Sequence, residues 1–116
     1  MTDNQTDQVA EHTSKIAETL LAIEASLKDL GLWEDVSPPE SAFTSDQPFF
    51  IDTMEFTQWL QFVLLVRVSD IISFNLPLPA SSQIHPMAEE YFRCRTENAD
   101  SLIGHLKIFD ELISQG

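Results

Sequence analysis

The chain has 116 residues, enough for one domain with a core of its own, and 43% of them are hydrophobic. Six basic residues against nineteen acidic ones give a net charge of −13, which excludes the cation-rich surface that direct nucleic-acid binding or an anionic bilayer requires. The single cysteine, Cys94, excludes an intrachain disulfide and fits a reducing compartment.

The N-terminal stretch MTDNQTDQVAEH is acidic and polar, unlike a secretory or transit leader, so a cytoplasmic location is expected. Residues 1–6 are expected to be disordered, and residues 7–116 to form the folded domain. Thr6 or Asp7 is the expected cap of a first helix that runs to Leu30. Ile16, Leu20, Ile23, Leu27 and Leu30 repeat at intervals of four, three, four and three, which places them on one face. Glu11–Lys15 and Glu24–Lys28 are spaced for ion pairs on exposed faces. Gly31 suits the left-handed turn after a helix, letting Leu32 and Trp33 fold back on the core.

Residues 34–48 form a polar, proline-rich connection that packs over the surface, pinned by Phe43, with a short helical turn near Ser41–Ser45. The next segment, from Gln47 to Phe74, is the most apolar of the chain. Asp52 and Glu55 are spaced as a helix-start box, with Thr53 as an alternative cap. The helix continues to about Asn75, and Pro77 and Pro79 stop it. Only eleven residues separate Glu55 from Arg67, and Thr57, Gln58 and Gln61 interrupt them, whereas a membrane span needs about 20 apolar residues. A core helix, apolar on most of its circumference, is therefore expected. After a second proline-rich connection, Pro86 opens a short helix through MAEEYFRCR. Asn98 or Asp100 caps a last helix over 99–114, with Leu102, Leu106, Phe109 and Ile113 as its stripe. The pattern predicts an all-α, single-domain bundle of four helices with the apolar second helix in its centre.

Chemistry is sparse. His12, His85 and His105 lack the Glu-x-x-His spacing of bundle metal sites, so no metal and no other cofactor is expected. Cys94 lies between Arg93 and Arg95, which favours a thiolate, yet no base accompanies it, and a helical cysteine of this kind reads as packing. With glycine only at positions 31, 104 and 116, no phosphate-binding loop exists. No catalytic residue is assigned, and no enzymatic activity is expected.

Two candidate sites remain. Arg67 and Asp70 lie three apart on the apolar helix and suit an internal ion pair or an anion anchor. Phe49, Phe50, Trp59 and Met87, with Glu89 and Glu90 beside them, suit an apolar partner surface with an acidic flank. The acids are unevenly placed: residues 1–55 carry twelve acids and two bases, residues 56–116 seven acids and four bases. A basic protein partner fits this balance. The chain is expected to be a monomer or a weak homodimer. A non-enzymatic interaction module is the first functional reading; a small-ligand binder with a pocket near Arg67 is the second.

The strings QPFFIDTMEFTQWLQFVLLVRVSDII, PLP and PMAEEYF together resemble the YqcC-like family of small bacterial proteins of uncharacterised function, over roughly Leu20 to Leu112. The resemblance implies an all-helical bundle. Members of that family are often encoded beside a tRNA pseudouridine synthase, which implies an accessory role toward a tRNA-modifying enzyme. The family usually has proline before the arginine matching Arg67, where Val66 stands here, and a small residue where His85 precedes Pro86.

Overall fold

The computed structural model describes residues 4–115, with side chains from residue 10 onward. Met1 to Asp3, within the stretch expected to be disordered, lie outside the described residues. Five α-helical segments occur in chain order: α1 (Asn4–Asp29), α2 (Phe56–Trp59), α3 (Leu65–Ser73), α4 (His85–Phe92) and α5 (Asp100–Gln115). A π-helical turn, Leu60–Leu64, fuses α2 and α3 into one continuous run, so the architecture is a four-helix, all-α bundle. No strand occurs among the described residues.

Helix α1 starts at Asn4, ahead of the Thr6 or Asp7 cap that the sequence suggests. Ile16, Leu20, Ile23 and Leu27 are buried as one face, and Leu30 packs against the same cluster. That face meets α5, whose Leu102, Leu106, Phe109 and Ile113 are buried as expected. The exposed side of α1 carries both ion pairs, Lys15–Glu11 at 3.9 Å and Lys28–Glu24 at 2.8 Å.

Gly31 ends α1. Its amide donates to the Lys28 carbonyl (3.0 Å) and the Leu32 amide to that of Leu27 (2.9 Å), the two bonds of a Schellman turn, with Gly31 at φ 73°. Leu32 and Trp33 then pack on the core. The surroundings of Gly31 leave room for a methyl group, so Gly31→Ala should cost only the backbone penalty, about 1 kcal/mol. Gly104 sits inside α5, also with open space around it, and Gly104→Ala should stabilise by about 0.5–1 kcal/mol. Chemical denaturation of the two variants should show these opposite signs.

The connection after α1 is fastened to the bundle by Gln61, in the π turn. The Glu34 amide donates to Gln61 Oε1 (2.9 Å), and Gln61 Nε2 donates to the Glu34 carbonyl (2.7 Å). The chain then makes a 3₁₀ turn, Glu40–Thr44, where Ala42 is buried with Met54 and Val63 in a small second cluster and Phe43 packs alongside. The Phe56–Ser73 run feeds both clusters: Phe56, Leu60, Leu64, Leu65 and Val68 enter the main one, Val63 the second.

The helix-start box sits three residues later than the sequence suggests. Glu55 is the cap, and its amide donates to Gln58 Oε1 at 2.8 Å. Asp52 instead accepts the Ser45 hydroxyl, and Thr53 donates to the Ala42 carbonyl (2.7 Å). These side chains tie the connection to itself because a short 3₁₀ turn, Pro48–Phe50, and further turns occupy residues 48–54 in place of α-helix.

Candidate functional site

The π turn decides where the first candidate pair points. In it the Leu65 amide donates to the Leu60 carbonyl, five residues back. An uninterrupted α-helix would align Leu60 with Val63, Arg67 and Asp70. One extra residue per turn aligns Leu60 with Leu65, Val68 and Ile72 instead. Val68 is accordingly buried, while Arg67 and Asp70 are exposed. The expected desolvated ion pair does not form: no Arg67–Asp70 contact lies within salt-bridge distance, and the Arg67 guanidinium rests over the Phe50 ring, 5.8 Å from its centroid. Two hollows lie elsewhere, one between α1 and α3 and one between the end of α4 and the start of α5. Arg67 lines neither of them.

The second candidate set is brought together only in part. Phe49 and Phe50 both adopt left-handed backbone, with φ 59° and φ 50°, where a side chain costs roughly 1–2 kcal/mol per residue. The turn aims Phe49 edge-on at Trp59 (4.9 Å, 80°) and at Phe56 (5.8 Å, 73°). Phe56 also meets Tyr91 of α4 at 5.6 Å, and Tyr91 meets Phe92 at 5.0 Å. The Arg95 guanidinium covers the Tyr91 ring from 4.7 Å. Burial pushes the Tyr91 phenol above its ordinary pKa, against the hydrogen bond to Thr57 that lowers it. Phe49, Phe50 and Trp59 are half-buried; Phe49 and Trp59 pack on each other, and Phe50 packs on the second cluster. Met87 is half-buried on the main cluster. Glu89 and Glu90 are exposed, and Glu90 pairs with Arg93, whose hydrogen bond and charge hold its carboxyl below the ordinary value. Cys94 is exposed and takes no part in packing.

The most highly connected polar group is Asp110 of α5, which the sequence reading did not single out. It is 5% exposed. Its carboxylate accepts the Ile84 amide on both oxygens (2.9 and 2.8 Å), the His85 amide (2.8 Å), the Ser82 hydroxyl (2.5 Å) and His85 Nδ1 (2.7 Å). α5 thus supplies the carboxylate that caps the start of α4. Burial raises the Asp110 pKa, but the hydrogen bonds from His85, Ser82 and Ile84 outweigh it and leave the carboxyl below its ordinary value. Ser, His and Asp meet here without forming a nucleophilic relay, because Ser82 bonds the carboxylate rather than the imidazole. The legible hint was Pro86 at a helix start with no side-chain cap nearby in sequence.

No group of three or more His, Cys, Asp or Glu side chains spaced to hold a metal occurs among the described residues. No helix there is long and apolar enough to cross a membrane.

Residues 15–112 match the family model DUF446, described as tRNA pseudouridine synthase C. The chain belongs to this family. The solution NMR structure of protein YqcC from Escherichia coli superposes with a TM-score of 0.78 at 31% identity, covering 89% of this chain and 88% of that one. YqcC of E. coli K12, an uncharacterised protein, is 41% identical over 70 residues, which is 60% of this chain and 64% of YqcC. A protein of Pectobacterium carotovorum named tRNA pseudouridine synthase C is 38% identical over 68 residues, 59% of this chain but only 18% of that protein. The aligned part of the chain thus spans just under two thirds of the first relative and less than a fifth of the second. The resemblance to the YqcC-like family and the all-helical fold it implies are both borne out.

Proposed function

We propose that the chain is a non-enzymatic, cytoplasmic interaction module that works beside a tRNA-modifying pseudouridine synthase. One observation carries the reading: a far longer protein named tRNA pseudouridine synthase C contains a segment similar to this chain within 18% of its length. Joining two modules in one polypeptide sets their effective concentration at about the millimolar level. A separate chain of the same family serves the same end by binding its partner. The charge of −13 suits a partner with a basic, tRNA-contacting surface, for which it would speed encounter and reject acidic competitors. The Asp110 carboxylate, already saturated by fold-holding donors, adds support for a role without bond chemistry.

The aromatic corner at Phe49, Phe50 and Trp59, with Met87 and the acids Glu89 and Glu90, is one contact region in this reading. Titration calorimetry of the chain against the tRNA pseudouridine synthase C of its own host tests it. A 1:1 complex is expected, weakening about tenfold or more between low and moderate salt. Absence of heat at both salt concentrations would refute the reading.

A further inference from the structure

An apolar hollow with an exposed leucine on its wall lies away from the aromatic corner. Leu21, on α1, is 67% exposed although it adjoins the buried face of that helix. It forms one wall of a hollow of about 280 Å³ with Ala17; Leu65, Ser69, Ile72 and Ser73 of α3 form the other. The walls repeat at helical spacing, 17 and 21 on α1, and 65, 69 and 72 on α3, so they run as the two sides of a trough. Phe74, 70% exposed, follows Ser73 directly at the end of α3.

We propose that this trough docks an amphipathic helix with basic flanks, presented by the partner enzyme. The inference rests on the accessory reading for the identity of the partner and on geometry for the rest. Alanine and serine on the walls let a third helix approach to about 8–10 Å between axes. The volume suits a few aliphatic anchors spaced i, i+3 or i+4, and i+7. Glu24, which already pairs with Lys28, is the one charged residue lining the hollow, so the uncompensated acids on these two helices are exposed Glu18 and Asp70, outside its lining. Lys28 is bound to Glu24 and lies over Trp33, and Arg67 is drawn to Phe50, so neither supplies a free cation to the rim. A second copy of the chain would bring another −13 against this rim, which disfavours self-association there.

The test uses the full chain, labelled for heteronuclear NMR, with an amphipathic Leu/Lys peptide of about 18 residues and a Leu/Glu peptide of the same stripe. The lysine peptide is expected to shift amides of residues 17–24 and 65–73, and the glutamate peptide to leave them unchanged. Leu21→Arg should weaken lysine-peptide binding about tenfold or more, and Val36→Arg, at a 77% exposed site in the first connection, should stay within about twofold. Both variants should melt with the parent. Shifts scattered over the acidic surface, equal binding of both peptides, or undiminished binding by Leu21→Arg would overturn the proposal. The same variants are then titrated with the synthase. If Leu21→Arg binds the synthase as tightly as the parent does, the trough is not the partner site, while the accessory reading stands. If the peptide seats in the trough but the synthase binds neither chain, the trough stands as a helix-docking site and the accessory reading falls.

Discussion

Replacing Asp110 by alanine will lower stability by about 3–4 kcal/mol, as removal of one member of a buried, charged hydrogen-bond set does. In a chain of this size that is a fall of roughly 12–16 °C in Tm. The substitution strands the buried amide of Ile84 and, at the half-buried edge of the site, the His85 amide, the Ser82 hydroxyl and the His85 ring nitrogen. Asp110→Asn keeps the shape but turns one acceptor into a donor facing other donors, and should cost about 2 kcal/mol. The loss should be local at first. α4 is eight residues long and too short to persist alone, so hydrogen exchange in α4 should accelerate more than in α1.

The same residue sets a pH signature. Its folded pKa lies below the ordinary carboxylate value of about 3.9, so at acid pH the unfolded chain takes up the proton first. The stability Asp110 contributes is therefore fully present above the unfolded value and drains away as pH falls through the folded one. Below about pH 5 the difference in unfolding free energy between the parent and Asp110→Asn should narrow as pH falls. Urea denaturation at a series of pH values measures it. A difference that widens toward acid pH would show that the carboxylate is protonated in the native state.

Much of this architecture was legible, and its illegible parts share a cause. The faces of α1 and α5 could be read because polar residues interrupt the apolar ones, Glu18 and Thr19 between Ile16 and Leu20 and His105 between Leu102 and Leu106, so that one register buries the apolar set. Between Trp59 and Val66 almost every position is apolar, and several registers would bury it equally well. Gln61 alone marks the turn, and its partner is the backbone of Glu34, 27 residues away. The π turn that carries Arg67 and Asp70 out to solvent therefore left no periodic trace, and the expectation of a buried pair failed with it. Asp110 was hidden for a similar reason. A carboxylate in the last helix reads as an exposed polar position until the proline-rich connection folds its amides onto it. The left-handed pair at Phe49 and Phe50 contradicts local preference outright, since glycine or asparagine is the usual occupant.

That contradiction yields the second large effect. Phe56 is 1% exposed and is the ring on which Phe49, Trp59 and Tyr91 converge. Phe56→Ala should cost about 3–5 kcal/mol, and Phe56→Leu about half of that, because it refills part of the cavity. In Phe56→Ala one of the two rings that hold Phe49 in left-handed backbone is gone, so the turn should loosen and become a site of chymotrypsin cleavage before the bundle unfolds. The strain can be weighed directly. Phe49→Ala and Phe49→Gly lose the same ring, yet only glycine adopts φ 59° without penalty. At this position Phe49→Gly should be more stable than Phe49→Ala by about 1 kcal/mol, the reverse of the order expected inside a helix. If alanine proved the more stable, the turn would have left the left-handed region once the ring was removed. The ring contacts would then be what holds the backbone there, and the aromatic corner would be the cause of the turn rather than its consequence.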